Sequence, residues 1–197
     1  MDAIKIYFEI GFAHIVNWTA LDHILFIVAL SLRYQFSDWK KLLVLITAFT
    51  IGHTTTLTLV VFNLLHLSKH WIEFLIPVTI AITAVSNFFV KKFTFKAKFP
   101  LIYFFALIFG LIHGLGFSND LKSLIGNGDG VVIKLLSANL GIEAGQICFV
   151  FGILIITAIT TNLFKVNRRE YLLFVSSGIF ALAVEMAAER IPWWVGS

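Results

Sequence analysis

The sequence predicts an all-α, polytopic membrane helix bundle, with about six transmembrane helices preceded by a short N-terminal interfacial or re-entrant half-helix. Two observations predict it. First, 59% of the 197 residues are hydrophobic and 13% are charged, and mean hydropathy is +0.92. A water-soluble domain is about half apolar and about a quarter charged. Second, the apolar residues gather into runs near the ~20 residues that cross a bilayer, separated by short basic connections. No window is long or polar enough for a separate soluble domain, so residues 1–197 form a single integral membrane domain.

The opening stretch MDAIKIYFEIGFAH does not read as a secretory signal, because Asp2 offsets Lys5 and both Glu9 and His14 interrupt any apolar core. The segment IYFEIGFAHIVNW is too short to cross and is assigned to the half-helix. The spans follow at 19–34, 39–65, 70–90, 99–118, 134–164 and 171–191. Trp18, Trp39, Trp71, Trp193 and Trp194 sit near span ends, as interface anchors do. Cys148 is the lone cysteine, which excludes an intrachain disulfide.

Most of the 15 basic residues lie in alternate connections: Arg33, Lys40 and Lys41; Lys91, Lys92, Lys96 and Lys98; Lys165, Arg168 and Arg169. The positive-inside rule places those connections in the cytoplasm and both termini outside, periplasmic for a bacterial inner-membrane protein. The same distribution explains the pI of about 9.3 without a nucleic-acid partner.

Depth then follows from span position. His23, His53, His113 and Glu143 all fall in the outer half of the bundle, with His14 and Asp22 at its entrance. Ionisable groups in a bilayer cost at least about 2.5–3.5 kcal/mol each at mid-depth, and persist where they pair, line water or bind an ion. Imidazoles with carboxylates suit a borderline divalent metal: Ni, Zn or Co. Thr47, Thr50 and Thr54 share one face of the second span, and Asn139, Glu143 and Gln146 share one face of the fifth. Thr50, Thr54, Asn139 and Gln146 are therefore expected to orient the ligating groups. Gly110-x-x-x-Gly114 and Gly141-x-x-x-Gly145 would let the helices carrying His113 and Glu143 approach each other closely.

Blander readings apply elsewhere. Thr19-Ala-Leu-Asp22 has capping-box spacing, so Asp22 has a structural use as well. Glu73 suits a helix N-terminus. His66 and His70 flank a loop and read as solvated, while Glu9 and Glu185 read as interfacial. The inner half holds few polar residues: Thr47, Ser86, Asn87, Ser176 and Ser177.

Four strings, GFAHIVNWTALDHILFIVAL, TAFTIGHTTTLTL, FGLIHGLGFSNDL and NLGIEAGQI, together resemble the HupE/UreJ family of small membrane proteins. The resemblance runs from about Gly11 to Gln146. It implies hydrogenase- or urease-accessory nickel handling, with functional residues at His14, Asp22, His23, His53, His113, Glu143 and Gln146. The chain has no His-rich tail, and His14 is spaced from Asp22-His23 differently from the H-x-x-x-x-D-H nickel-permease pattern, which leaves the ion open among Ni, Zn and Co.

Two functional expectations result. One is transport or accessory handling of a transition-metal ion. The other is an intramembrane metal-dependent hydrolase or transferase acting on a lipid or exported protein at the outer leaflet, with Glu143 or Asp22 as base. No serine near these histidines has a nucleophile's setting. The partners expected are the bilayer, the metal ion or a membrane-associated substrate, and a membrane complex or homo-oligomer.

Overall fold

The computed structural model describes residues 3–17, 21–90, 93, 101–126 and 130–191. Trp18, Thr19, Trp193, Trp194, Lys91, Lys92, Lys96 and Lys98 lie outside the described residues. The described residues form seven α-helices: α1 (Ala3–Val16), α2 (Leu21–Ser31), α3 (Trp39–Val61), α4 (Lys69–Phe88), α5 (Leu101–Ile125), α6 (Val131–Ala158) and α7 (Arg168–Glu189). No strand occurs among the described residues. Helices satisfy every backbone group internally, which hydrocarbon demands.

Local chemistry sets several helix ends. Asn63 adopts φ 59°, and Leu64 N–H donates to Leu59 C=O at 2.8 Å, a left-handed cap that closes α3. Asn167 opens α7 by accepting from the backbone N–H groups of Arg169 and Glu170. Pro77 lies inside α4 and cannot donate to the carbonyl of Glu73, one turn earlier. Arg190 Nη1 approaches that carbonyl at 3.5 Å.

Helices α3 to α7 are each long and apolar enough to cross a membrane. The first predicted span is α2, whose 11 residues extend only ~16 Å. It is long and apolar enough to cross only when joined with α1, to which it is inclined by 69°. The bent pair is consistent with the predicted re-entrant half-helix and equally with a broken passage of which α1 is the first part. Helix α1 runs beside α6 in the same direction: Ser137 Oγ donates to Ile4 C=O, and Gly141 faces Phe8.

The glycine pairs do bring helices together, but with partners other than those expected. A Cβ on Gly110 would lie 2.1 Å from Phe49 O, and one on Gly114 would lie 2.4 Å from His53 O, so α5 packs on α3. A Cβ on Gly141 would lie 2.1 Å from Phe8 O, so α6 packs on α1. A small residue opens a groove that any backbone can enter, so the motif specifies closeness and not the partner. A third pair, α4 and α7, runs antiparallel, with Asn87 Nδ2 donating to Ser176 Oγ at 3.0 Å.

Candidate functional site

Four histidines from four helices meet. His14 ends α1 and His23 begins α2, on either side of the bend, while His53 and His113 sit at the glycine-mediated contact of α3 and α5. Ring centroids are 4.6 Å apart for His14–His23, 5.6 Å for His23–His113, 6.0 Å for His23–His53 and 6.4 Å for His14–His53. The flanking glycines explain the meeting: Gly52 and Gly114 remove the side chains that would hold α3 and α5 apart beside the two rings.

Three of the rings are buried and the fourth, His14, is half-buried. His53 and His113 have no exposed surface, and His23 is buried. His14 stacks on Phe117 with centroids 3.6 Å apart. Phe26 and Phe49 lie against His113 at 4.9 and 5.3 Å, and Phe26 also touches Phe109 at 6.1 Å. These phenylalanines form an apolar floor under the imidazoles.

Hydrogen bonding in the cluster is incomplete. His113 Nδ1 donates to Phe109 C=O at 2.9 Å, because a carbonyl can only accept. That leaves its Nε2 as a bare lone pair turned away from the helix. The buried Nε2 atoms of His14, His23 and His113, both ring nitrogens of His53, and Asp22 Oδ1 have no hydrogen-bond partner among the described residues. Natural proteins rarely leave so many buried polar atoms unsatisfied in one place without a use for them. Nitrogen lone pairs and a carboxylate oxygen are suitable donors for a borderline divalent ion. As arranged, however, no group of three or more His, Cys, Asp or Glu side chains among the described residues has the geometry of a ready-made ion site.

A cavity of about 430 Å³ reaches the cluster, lined by His14, Asn17, Asp22, His23, Glu73, Gly116, Phe117 and Arg190. Arg190 Nη1 pairs with Asp22 Oδ2 at 3.2 Å in its wall. Sequence reading missed Arg190. The only signal was a basic residue at the very end of the last span, which also fits an ordinary interface anchor.

The structure places the remaining expected residues elsewhere. Glu143 Oε1 accepts from Thr47 Oγ1 at 3.2 Å and lines a different cavity of about 320 Å³ with Thr50, Thr54 and Asn139. Thr50 donates to Gln146 Oε1 at 2.8 Å, and Thr54 donates to Asn139 Oδ1 at 2.8 Å. These residues close a seam between α3 and α6 and make no hydrogen bond to an imidazole among the described residues. Their side chains pair with one another across that seam. His66 and His70 are exposed, as expected.

The family model described as HupE / UreJ protein matches residues 1–190. The chain belongs to the HupE/UreJ family. No curated protein and no solved structure matches it. In this HupE/UreJ protein, the matched region contains the bent α1–α2 pair, the four histidines and Arg190.

Proposed function

We propose that this HupE/UreJ protein handles a divalent transition-metal ion, nickel in the first instance, as cargo. The ion would be received through the cavity at Asp22 and Arg190 and held by His14, His23, His53 and His113. The observation that carries this reading is the convergence of four imidazoles, three of them buried, with five ring nitrogens unpartnered among the described residues. Binding requires the rings to turn toward a common point, and His53 has both nitrogens available for that. Glu143 belongs to the separate α3–α6 seam in this reading.

The access is one-sided. Below the imidazoles lies the phenylalanine floor, and beyond it the polar groups of Arg33, Ser86, Asn87 and Ser176 bond to one another. A transporter in this state is open at one end and closed at the other, as alternating access requires. By the distribution of basic connections, the open end faces the periplasm.

The deciding experiment is elemental analysis of detergent-purified protein, with a nickel titration of wild type and His113→Ala. Near-stoichiometric metal that is lost in the variant supports the reading. Wild-type protein that neither carries nor takes up Ni, Co or Zn overturns it. Tight zinc without flux into proteoliposomes would shift the reading to the hydrolase.

A further inference from the structure

At the end of the bundle remote from the histidines, a groove of about 250 Å³ runs between α2, α4 and α5. Its walls are apolar, formed by Leu30, Ile82, Leu101, Phe105 and Phe109. Ile82, Leu101 and Phe105 are 51%, 69% and 44% exposed, so the mouth opens on the apolar flank that faces lipid. One cation lies in this groove, Arg33. Its Nε donates to Asn87 Oδ1 and its Nη2 to Ser86 Oγ, both neutral partners. Nη1 makes no hydrogen bond, and no carboxylate pairs with this guanidinium, among the described residues.

A half-buried guanidinium beside hydrocarbon is costly without a counter-charge. Asn87 and Ser86 fix its orientation without neutralising it. Asn87 is itself anchored to Ala29 C=O at 2.9 Å, so the fork is held rigidly. Arg168 reaches the Arg33 carbonyl at 2.8 Å, adding a second cation at the same end. A rigid cation at the head of an apolar, lipid-facing groove matches a molecule with one anionic head and one apolar tail.

We propose that this groove binds one anionic phospholipid, with its phosphate on Arg33 and an acyl chain along Leu30, Ile82, Phe105 and Phe109. The inference is independent of the metal reading. The tail would end at Phe109, whose carbonyl holds His113.

The test is native mass spectrometry of the full-length, delipidated protein titrated with phosphatidylglycerol or phosphatidylcholine of the same chain length. Wild type should retain one phosphatidylglycerol about tenfold more tightly than phosphatidylcholine, the scale of one charge-assisted contact. Arg33→Gln should remove that preference, and Arg33→Lys should keep part of it. Ile82→Trp, which fills the mouth and leaves the Arg33 hydrogen bonds intact, should displace the lipid as well. This last variant decides the matter if Arg33→Gln does not fold. Equal retention of the two lipids by wild type, or an undiminished preference in Ile82→Trp, would mean annular lipid only and overturn the proposal.

Discussion

Helix α3 has two polar faces that solve the same problem differently. Thr47, Thr50 and Thr54 face α6 and donate to Glu143, Gln146 and Asn139. His53, on another side of the helix, meets three imidazoles and leaves both ring nitrogens without a partner among the described residues. Burial of a polar group costs free energy in both cases. On the threonine face, hydrogen bonds within the chain offset that cost. On the histidine face no hydrogen-bond partner among the described residues offsets it. Polarity inside a bundle therefore does not mark a functional site; unspent hydrogen-bonding capacity is the better mark.

The strongest way to break this comparison is to remove both faces at once. Gly110→Leu would place a side chain where even a Cβ lies 2.1 Å from the Phe49 carbonyl, against backbone that cannot move aside. We expect almost no monodisperse protein in size-exclusion chromatography; a well-folded variant would show that the α3–α5 contact is looser than described. Next in size, His53→Ala should lower nickel affinity about a hundredfold in isothermal titration while the thermal unfolding midpoint stays within a few degrees. Loss of folding instead of affinity would place His53 on the structural side of the comparison.

The threonine face should respond in the opposite sense. Thr54→Val removes the donor to Asn139 and should cost about 0.6 kcal/mol, the scale of an interhelical hydrogen bond in a membrane. Unfolding in mixed micelles by sodium dodecyl sulfate measures this, and nickel affinity should not change. A fall in affinity would merge the two faces into one site. An effect of similar, small size is expected from Arg190→Gln. It releases Asp22 from a pair of side chains that are 33% and 22% exposed, worth at most about 1 kcal/mol. Nickel should bind two- to fivefold more tightly at low ionic strength, and the gain should shrink in high salt; weaker binding would instead make Arg190 part of the receiving wall.

Much of this was legible in the residues, for definable reasons. The helical bundle follows from hydropathy, because hydrocarbon leaves the backbone few alternatives. His23, His53 and His113 stood out because ionisable groups within spans need a reason to be there. Glu143 shared their depth and was grouped with them on that basis. Depth along the membrane normal can be counted from a span's end, but the direction a side chain takes around its helix relative to other helices depends on packing. The glycine pairs failed in the same manner, giving the closeness of contact and not the neighbour. Arg190 was hidden because its role needs Asp22 and the Glu73 carbonyl freed by Pro77, which come together only in three dimensions.

The pairing of α1 with α6 also sets an order of events during synthesis. Ile4 leaves the ribosome early, and the hydroxyl it bonds to, on Ser137, is made 133 residues later. Until α6 has entered the membrane, α1 lacks its main packing surface, and α2 alone is too short to hold the first passage across the bilayer. His14, the first of the four imidazoles to be translated, thus sits on the helix whose packing partner, α6, is made after the helices of the other three. If the four imidazoles hold an ion as proposed, the full set would exist only once the sixth helix is in place, late in the chain's synthesis.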